Sequence, residues 1–381
     1  MLGVFLVFSS GYAGYPMLAL LAIILGELVT RRLAWVSTSF DRPLLALLAV
    51  SLASALVSPW RSQALIPVSL FVLTAVVSVY PAARVIRAWP EAIRPMFGVW
   101  VAGALFAAAW GILRAPAAWP SGASTPTLGS TALGTTMAAA VVVAMGAWTT
   151  WDQPWVRIGL AGGLPVLVTA LALTTSRAAW IAAAVGAGVM IGLAPRRRAA
   201  LVILCVASVA VAMLATRVER QSLAQRLESI PSVEANADRL AIWSGAVRMV
   251  RDHPLLGTGY GTFIFAWSQY SRDPTLMDKP TAHNVFLNFA AETGLLGLAA
   301  FLAVVLGGLA GLWRRVRSSK SDPKTDGLWA ALFAAVVAML IQQLFDATVM
   351  SLHIGYGLLA AFALGGTQLS GAAAPTSKTP A

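Results

Sequence analysis

Charge is scarce in this chain of 381 residues. Only 11% of the residues are charged, against about 25% in an ordinary soluble domain, and that excludes a water-covered globular protein. Cysteine is nearly absent as well. Cys205 stands alone, so neither an intramolecular disulfide nor a cysteine-built metal site is available, and inside a hydrophobic run it reads as a packing residue. The three histidines, His253, His283 and His353, are widely separated, and no Asp-x-Asp pair is present to hold a divalent cation, so no metal and no other cofactor is called for. The short alternating runs of a transmembrane barrel are missing too. No internal repeat of useful length is visible, which weakens a transporter built from inverted repeats.

What the chain has in abundance is apolar sequence, 58% of its residues. It comes in blocks of about 16 to 22 residues, the length a helix needs to cross the hydrocarbon core. The blocks fall near 12–29, 43–58, 64–80, 95–113, 131–149, 157–174, 178–194, 199–216, 284–312, 327–347 and 353–369. The first ten residues, MLGVFLVFSS, are apolar but are broken from the next run by Gly11, Gly14 and Pro16, so the expected number of spans is ten to twelve. The expected fold is an all-α polytopic integral membrane protein. N-terminal spans over 1–216 are followed by an external loop over 217–282 containing an amphipathic helix, C-terminal spans over 283–369, and a disordered cytoplasmic tail over 370–381.

Orientation follows from lysine and arginine. With the loop Trp313 to Lys324 placed inside, sixteen of the 27 basic residues fall on that side, among them Arg84, Arg87, Arg94, Arg157, Arg314 and Arg315. The short loops opposite keep only Arg61, Arg114 and Arg177. The other eight sit in the long polar stretch from Arg217 to Ala282, which this layout puts outside. The net charge of +12 therefore needs no nucleic acid to explain it. Tryptophans such as Trp148, Trp151, Trp313 and Trp329 fall near the span ends, where an amphipathic ring rests at headgroup level.

The external stretch carries the chemistry. From Asp238 onward Leu240, Trp243, Val247 and Val250 recur at helical spacing, with Asp238 or Asn236 as caps and Pro254 as the stop, the pattern of a helix lying on a bilayer surface. Arg248 and Arg251 read as a solvated face or a contact to anionic lipid. The glycine series Gly257, Gly259, Gly261 has neither a strand before it nor a phosphate-binding lysine, so it reads as a tight turn rather than a nucleotide loop. After His283, the residues Asn284, Asn288 and Glu292 share one helix face. Glu292 lies about 14 Å deeper than His283 at the rise of a helix, and a carboxylate at that depth needs a partner or a water-filled cavity. Gly294 and Gly297 read as thin helix surface for close packing. Arg177, in a hairpin with almost no loop, can snorkel or hold an anionic headgroup through its fork-shaped guanidinium. With Asp346 and His353 at the same outer level, Arg177, Arg239, His283 and Asp346 can converge at one external site.

The segments TTSRAAW, DRLAIWSGAVRMVRDHPLLGTGYGTF and AHNVFLNFAAETGLLG resemble, in their order, the O-antigen ligase and polymerase family of bacterial polysaccharide enzymes, over roughly residues 160–310. The resemblance implies an enzyme of the bacterial cytoplasmic membrane, acting on its periplasmic or outer side. Such an enzyme moves a glycan from an undecaprenyl-diphosphate carrier to an acceptor hydroxyl on a glycan, lipid or protein, without a metal and with inversion at the sugar carbon. It implies further that Arg177 and Arg239 hold the donor diphosphate and that His283 activates the acceptor; beside these, the residues themselves offer Asp346, Glu292, Asn284 and Trp243 in support, Asp346 as a group that orients an arginine or the histidine. Within that family, ligase, polymerase and protein-glycosylating activities stay open. The rival from a different class is a transporter or flippase, which calls for charges in mid-span and discontinuous helices in matching halves.

Overall fold

The computed structural model describes residues 22–27, 29–30, 36–118, 123–125, 128–194, 197–215, 237–277, 279, 281–319, 325–350 and 352–367. The expectations for the first ten residues, for the tail, and for Asn236, Arg217, Arg220 and Arg226 lie outside them. Twelve α-helices account for most of the described residues: α1 Asp41–Val57, α2 Arg61–Ala88, α3 Ile93–Ala118, α4 Ser130–Thr150, α5 Pro154–Leu173, α6 Arg177–Leu193, α7 Arg198–Ala215, α8 Ala237–Asp252, α9 Phe263–Tyr270, α10 Val285–Ser319, α11 Asp326–Gln342 and α12 Leu352–Gly366. No β-strand occurs among the described residues. Five of the helices (α2 to α5 and α10) are long and apolar enough to cross a membrane, and shorter apolar helices lie beside them. The protein is an all-α polytopic membrane protein.

The spans pack through small residues, as helices do where no hydrophobic effect drives them together. Helix α4 is the most enclosed, packed against α3, α5, α6 and α11. A side chain at Gly146 would overlap Ala331, and one at Gly186 would meet Ala338 and Val142 at 2.8 Å. A second group joins α1, α2, α10 and α12, with Gly308 seating the Phe362 ring and Gly311 against Gly366.

The two ends of this bundle differ chemically. At one end arginines lie over aromatic rings: Arg94 over Trp151 at 5.3 Å, Arg157 over Trp148 at 4.4 Å and Arg315 over Trp329 at 5.2 Å. Arg84 pairs there with Glu27. A guanidinium stacked on an indole gains about 0.5–1 kcal/mol at an exposed site and anchors the helix end at a fixed depth. The opposite end carries a small lobe, α8 and α9, with its own core of Ile242, Met249, Phe263, Trp267 and Leu276.

The buried face of α8 is Ile242, Gly245, Ala246 and Met249, and Leu240 and Val247 of the expected stripe are exposed. The helix has apolar residues on both sides, and packing against α9 and α10 selected the side with small residues, where Gly245 admits the Trp267 ring. The expected span 284–312 is not one continuous helix. Gly294, at φ 68 and ψ −172, breaks α10, and a Cβ there would collide with the Leu255 backbone. Gly294 is thus a break entered by another segment of backbone.

Only glycine adopts that conformation at acceptable cost. Gly294→Ala is expected to lose about 2–3 kcal/mol, read as a fall of several degrees in the apparent melting temperature of the purified protein. Gly162→Ala, in open space, serves as the control with little change; equal behaviour of the two variants would refute the account.

Candidate functional site

The break in α10 frees backbone groups in mid-helix, and the turn 254–263 satisfies them. Leu295 N–H donates to the Pro254 carbonyl at 2.8 Å, Thr258 N–H to the Ala291 carbonyl at 3.0 Å and Gly259 N–H to the Glu292 carbonyl at 2.9 Å. Ser54 Oγ also donates to the Glu292 carbonyl, at 2.7 Å. The Glu292 carboxylate, 2% exposed, accepts from Gly261 N–H and Phe263 N–H, both at 2.9 Å. The second of these is the first residue of α9, where a negative charge is favoured. Gly257, Gly259 and Gly261 all take positive φ, and a Cβ at Gly257 would strike the Glu292 backbone. The glycine series is therefore a turn fitted into a broken helix. Burial first, and the Glu292 charge second, pushes the Tyr260 phenol in this turn up from its ordinary value.

More than two turns further out, the chain enters α10 through Thr281 to Asn284. Asn284 caps the helix, its Oδ1 accepting from Phe286 N–H at 3.0 Å and Leu287 N–H at 3.1 Å, while its amide donates to the Leu344 carbonyl at 3.0 Å. Asn288, fully buried, accepts from Ala282 N–H at 2.9 Å, and Trp243 Nε1–H donates to the Ala282 carbonyl at 3.0 Å. Between these fixed neighbours His283 stands at φ 48, a left-handed conformation uncommon for a residue with a side chain. Its Nδ1 faces Asp346 Oδ1 at 3.7 Å, longer than a hydrogen bond.

The remaining residues of interest gather at the same end. Asp346 follows α11, whose last residues anchor the site: Val285 N–H donates to the Gln343 carbonyl at 2.9 Å, Gln343 Nε2 donates to Thr348 Oγ1 at 2.8 Å, and Thr348 meets Thr135 of α4 at 3.3 Å. One residue before it, Gly134 faces the Ser176 and Thr174 side chains of the hairpin that presents Arg177. In that hairpin Thr175 has φ 57 and Ser176 caps α6. Arg177 is half-buried and has interactions of its own. Arg239 is half-buried on α8, one turn before Trp243. His283 and Asp346 thus face each other at 3.7 Å, Trp243 and Asn284 hold the loop that carries His283, and the Arg177 hairpin and the Arg239 helix lie at the same end of the bundle. Glu292 lies deeper, holding the turn. His353 is in α12.

Gln342 and Gln343 were not singled out by sequence reasoning, yet both are buried. Their signal was available: two adjacent amides inside an otherwise apolar span, where polar groups are costly and mark contacts. Beneath the loop lies a cavity of about 270 Å³, walled by Phe71, Tyr260, Phe289, Phe301 and Leu358 and edged by Thr281, Asn288 and Glu292. No cluster of His, Cys, Asp or Glu able to hold a metal occurs among the described residues.

Fold and site define a polytopic membrane protein with a titratable pair held at one end of its bundle beside a broken helix. Residues 162–302 match the family model described as O-antigen ligase, which supports the O-antigen ligase family for this chain. The matched stretch is less than half of the sequence and contains Arg177, Arg239, His283 and Glu292. No curated protein is significantly similar to the chain. At family level the match supports a membrane glycosyltransferase of the ligase or polymerase type.

The Asn284 cap is worth about 1 kcal/mol. Asn284→Ala is expected to speed hydrogen exchange at the Phe286 and Leu287 amides about fivefold, measured by deuterium uptake of the peptide covering the start of α10. Unchanged uptake would mean that the amides are held by something else.

Proposed function

We propose that this protein transfers a glycan from an undecaprenyl-diphosphate carrier to an acceptor hydroxyl, at the outer face of the cytoplasmic membrane and with inversion at the anomeric carbon. The observation that carries the reading is the His283–Asp346 pair at 3.7 Å, in which His283 stands on a strained backbone within the matched stretch and Asp346 comes to it from beyond that stretch, at the bundle end opposite the stacked arginines. Basic residues are retained on the cytoplasmic side, so the arginine-stacked end faces the cytoplasm and His283 faces out.

In the proposed step the acceptor oxygen attacks the anomeric carbon as its proton passes to His283 Nε2. The bond from that carbon to the diphosphate oxygen breaks, and the electron pair leaves with the lipid diphosphate. Histidine suits the task because its ordinary titration lies near neutrality. Asp346, beside Nδ1, orients the ring and stabilises the imidazolium that forms, as a carboxylate does behind a histidine base. Arg177 and Arg239 bind the diphosphate and stabilise its developing charge, the work a divalent cation does elsewhere. The isoprenoid end of the carrier enters the apolar cavity under the loop.

One observation favours a second reading. A discontinuous helix is a transporter feature, and α10 is broken at Gly294. The break is filled by protein backbone, however, and it is the sole positive-φ residue inside a helix among the described residues, so the matching break in another half is missing.

The test uses purified protein in lipid nanodiscs with an undecaprenyl-diphosphate-linked oligosaccharide and candidate acceptors. His283→Ala is expected to lower transfer at least about 10³-fold, the order of losing a general base together with its partner, without loss of membrane insertion. Arg177→Lys and Arg239→Lys should each cost about tenfold or more in transfer, because an ammonium cannot make the bidentate contact. Full transfer by the histidine variant would remove it from the mechanism. Transport of the intact lipid-linked donor across sealed vesicles, without transfer, would favour the rival.

A further inference from the structure

The outer surface of α8 holds positive charge that the transfer step does not use. Arg248 and Arg251 on α8 and Arg272 just beyond α9 line one open pocket of about 560 Å³, whose apolar wall includes Trp243, Val247 and Leu287. That size is ordinary for a small-molecule site. None of the three guanidiniums lies within 4.0 Å of a carboxylate among the described residues. The nearby acids are occupied. Asp252 is held by the Tyr270 phenol, which burial first and this hydrogen bond second push up to about 12. Asp273 accepts from Thr275 N–H at 2.8 Å and Thr275 Oγ1–H at 2.7 Å. Three guanidiniums that line one pocket with no carboxylate in direct contact repel one another, and an anion placed among them relieves that repulsion.

The cluster is also partly organised in advance. Arg248 donates from Nη2 to the Tyr270 carbonyl at 2.7 Å and from Nη1 toward Ser244 Oγ at 3.4 Å, so its fork is aimed while further N–H groups stay available. Arg251 and Arg272 are exposed and free to close on a ligand. Trp243 links the pocket to the reaction centre: its ring lines the pocket, and its N–H holds the Ala282 carbonyl next to His283. Leu287 stands one helical turn beyond His283.

We infer that this pocket binds a phosphate group carried on the acceptor saccharide, so that the acceptor class is a phosphorylated glycan; this rests on the transferase reading. Guanidiniums take a phosphate in bidentate contacts, and the indole offers the apolar face of a sugar ring a surface to lie on. A saccharide held by its phosphate in this pocket has Trp243 between it and the His283 loop, which sets the distance at which its free hydroxyls reach the base.

A phospholipid headgroup offers the same phosphate chemistry, and the experiment separates the two sources. The full chain in phosphatidylcholine nanodiscs is titrated calorimetrically with glucose 6-phosphate and with glucose. Glucose 6-phosphate is expected to bind and glucose not. Arg248→Gln/Arg251→Gln/Arg272→Gln should weaken binding about tenfold or more, and raising salt from about 50 to about 500 mM should weaken it further. Arg251→Gln/Arg272→Gln keeps the Arg248 contact to Tyr270 and with it the local fold, and should lose about threefold or more. Wild-type affinity in both variants would overturn the proposal, as would equal binding of glucose. Loss of glucose 6-phosphate binding in phosphatidylglycerol nanodiscs, with headgroup enrichment around the wild-type chain but not the triple variant, would assign the pocket to lipid and overturn the acceptor role. A protein that binds glucose 6-phosphate through these arginines but transfers no glycan from any lipid-linked donor would refute the transferase reading and leave the anion site standing.

Discussion

The structure depends on one break in one helix. Where α10 departs from helical geometry at Gly294, its carbonyls at Ala291 and Glu292 lose their partners in the helix, and the turn after α8 supplies amides to replace them. Glu292 completes the joint by offering its carboxylate to Gly261 and Phe263. Each such hydrogen bond contributes about 0.5–1.5 kcal/mol, and here the acceptor is shielded from water, so breaking one leaves a buried polar group short of a partner. The lobe of α8 and α9 is therefore fastened to the span that follows His283. Because the same lobe carries Trp243 and Arg239, the joint holds the His283 loop and α8 in one frame.

The spans were legible because their signal is simple. Ten of the eleven apolar blocks correspond to α1–α7 and α10–α12, the block 12–29 lying largely outside the described residues, and α2 runs on to Ala88 beyond the expected residue 80 with Pro67 and Pro81 inside it. The bundle's chemical asymmetry was legible too, since lysine and arginine counts in short loops report it directly. The buried face of α8 was not. Its Leu, Trp and Val residues outrank Gly245 and Ala246 on any hydropathy scale, yet the small residues are what let Trp267 approach. The break at Gly294 was equally hidden, because a glycine in an apolar run reads as thin helix surface until the backbone that enters the gap is known. The candidate site was legible as residue types, His283 and two arginines. The groups that fix its geometry, Asn288 beneath Ala282 and Gln343 beneath Val285, act on backbone atoms, and contacts made at backbone leave little trace in a single sequence.

Strain at His283 gives the arrangement its meaning. A left-handed residue with a side chain costs of order 1–3 kcal/mol, and the chain could avoid that cost by starting α10 one residue earlier. It does not, because both sides of His283 are held independently: Ala282 by the Trp243 indole and Asn288 amide oxygen, Asn284 by its cap and by the Leu344 carbonyl. Four contacts over two residues over-determine the backbone between them. The imidazole is consequently displaced from the helix axis toward Asp346 and away from the apolar packing of α10. A helical His283 would sit on the face shared with Leu287; the strained one faces a carboxylate. That difference separates a packing residue from an imidazole presented at the mouth of the bundle, and it is why strain here, between neighbours held at Ala282 and Asn284, argues for a chemical role better than the histidine's position in the sequence does.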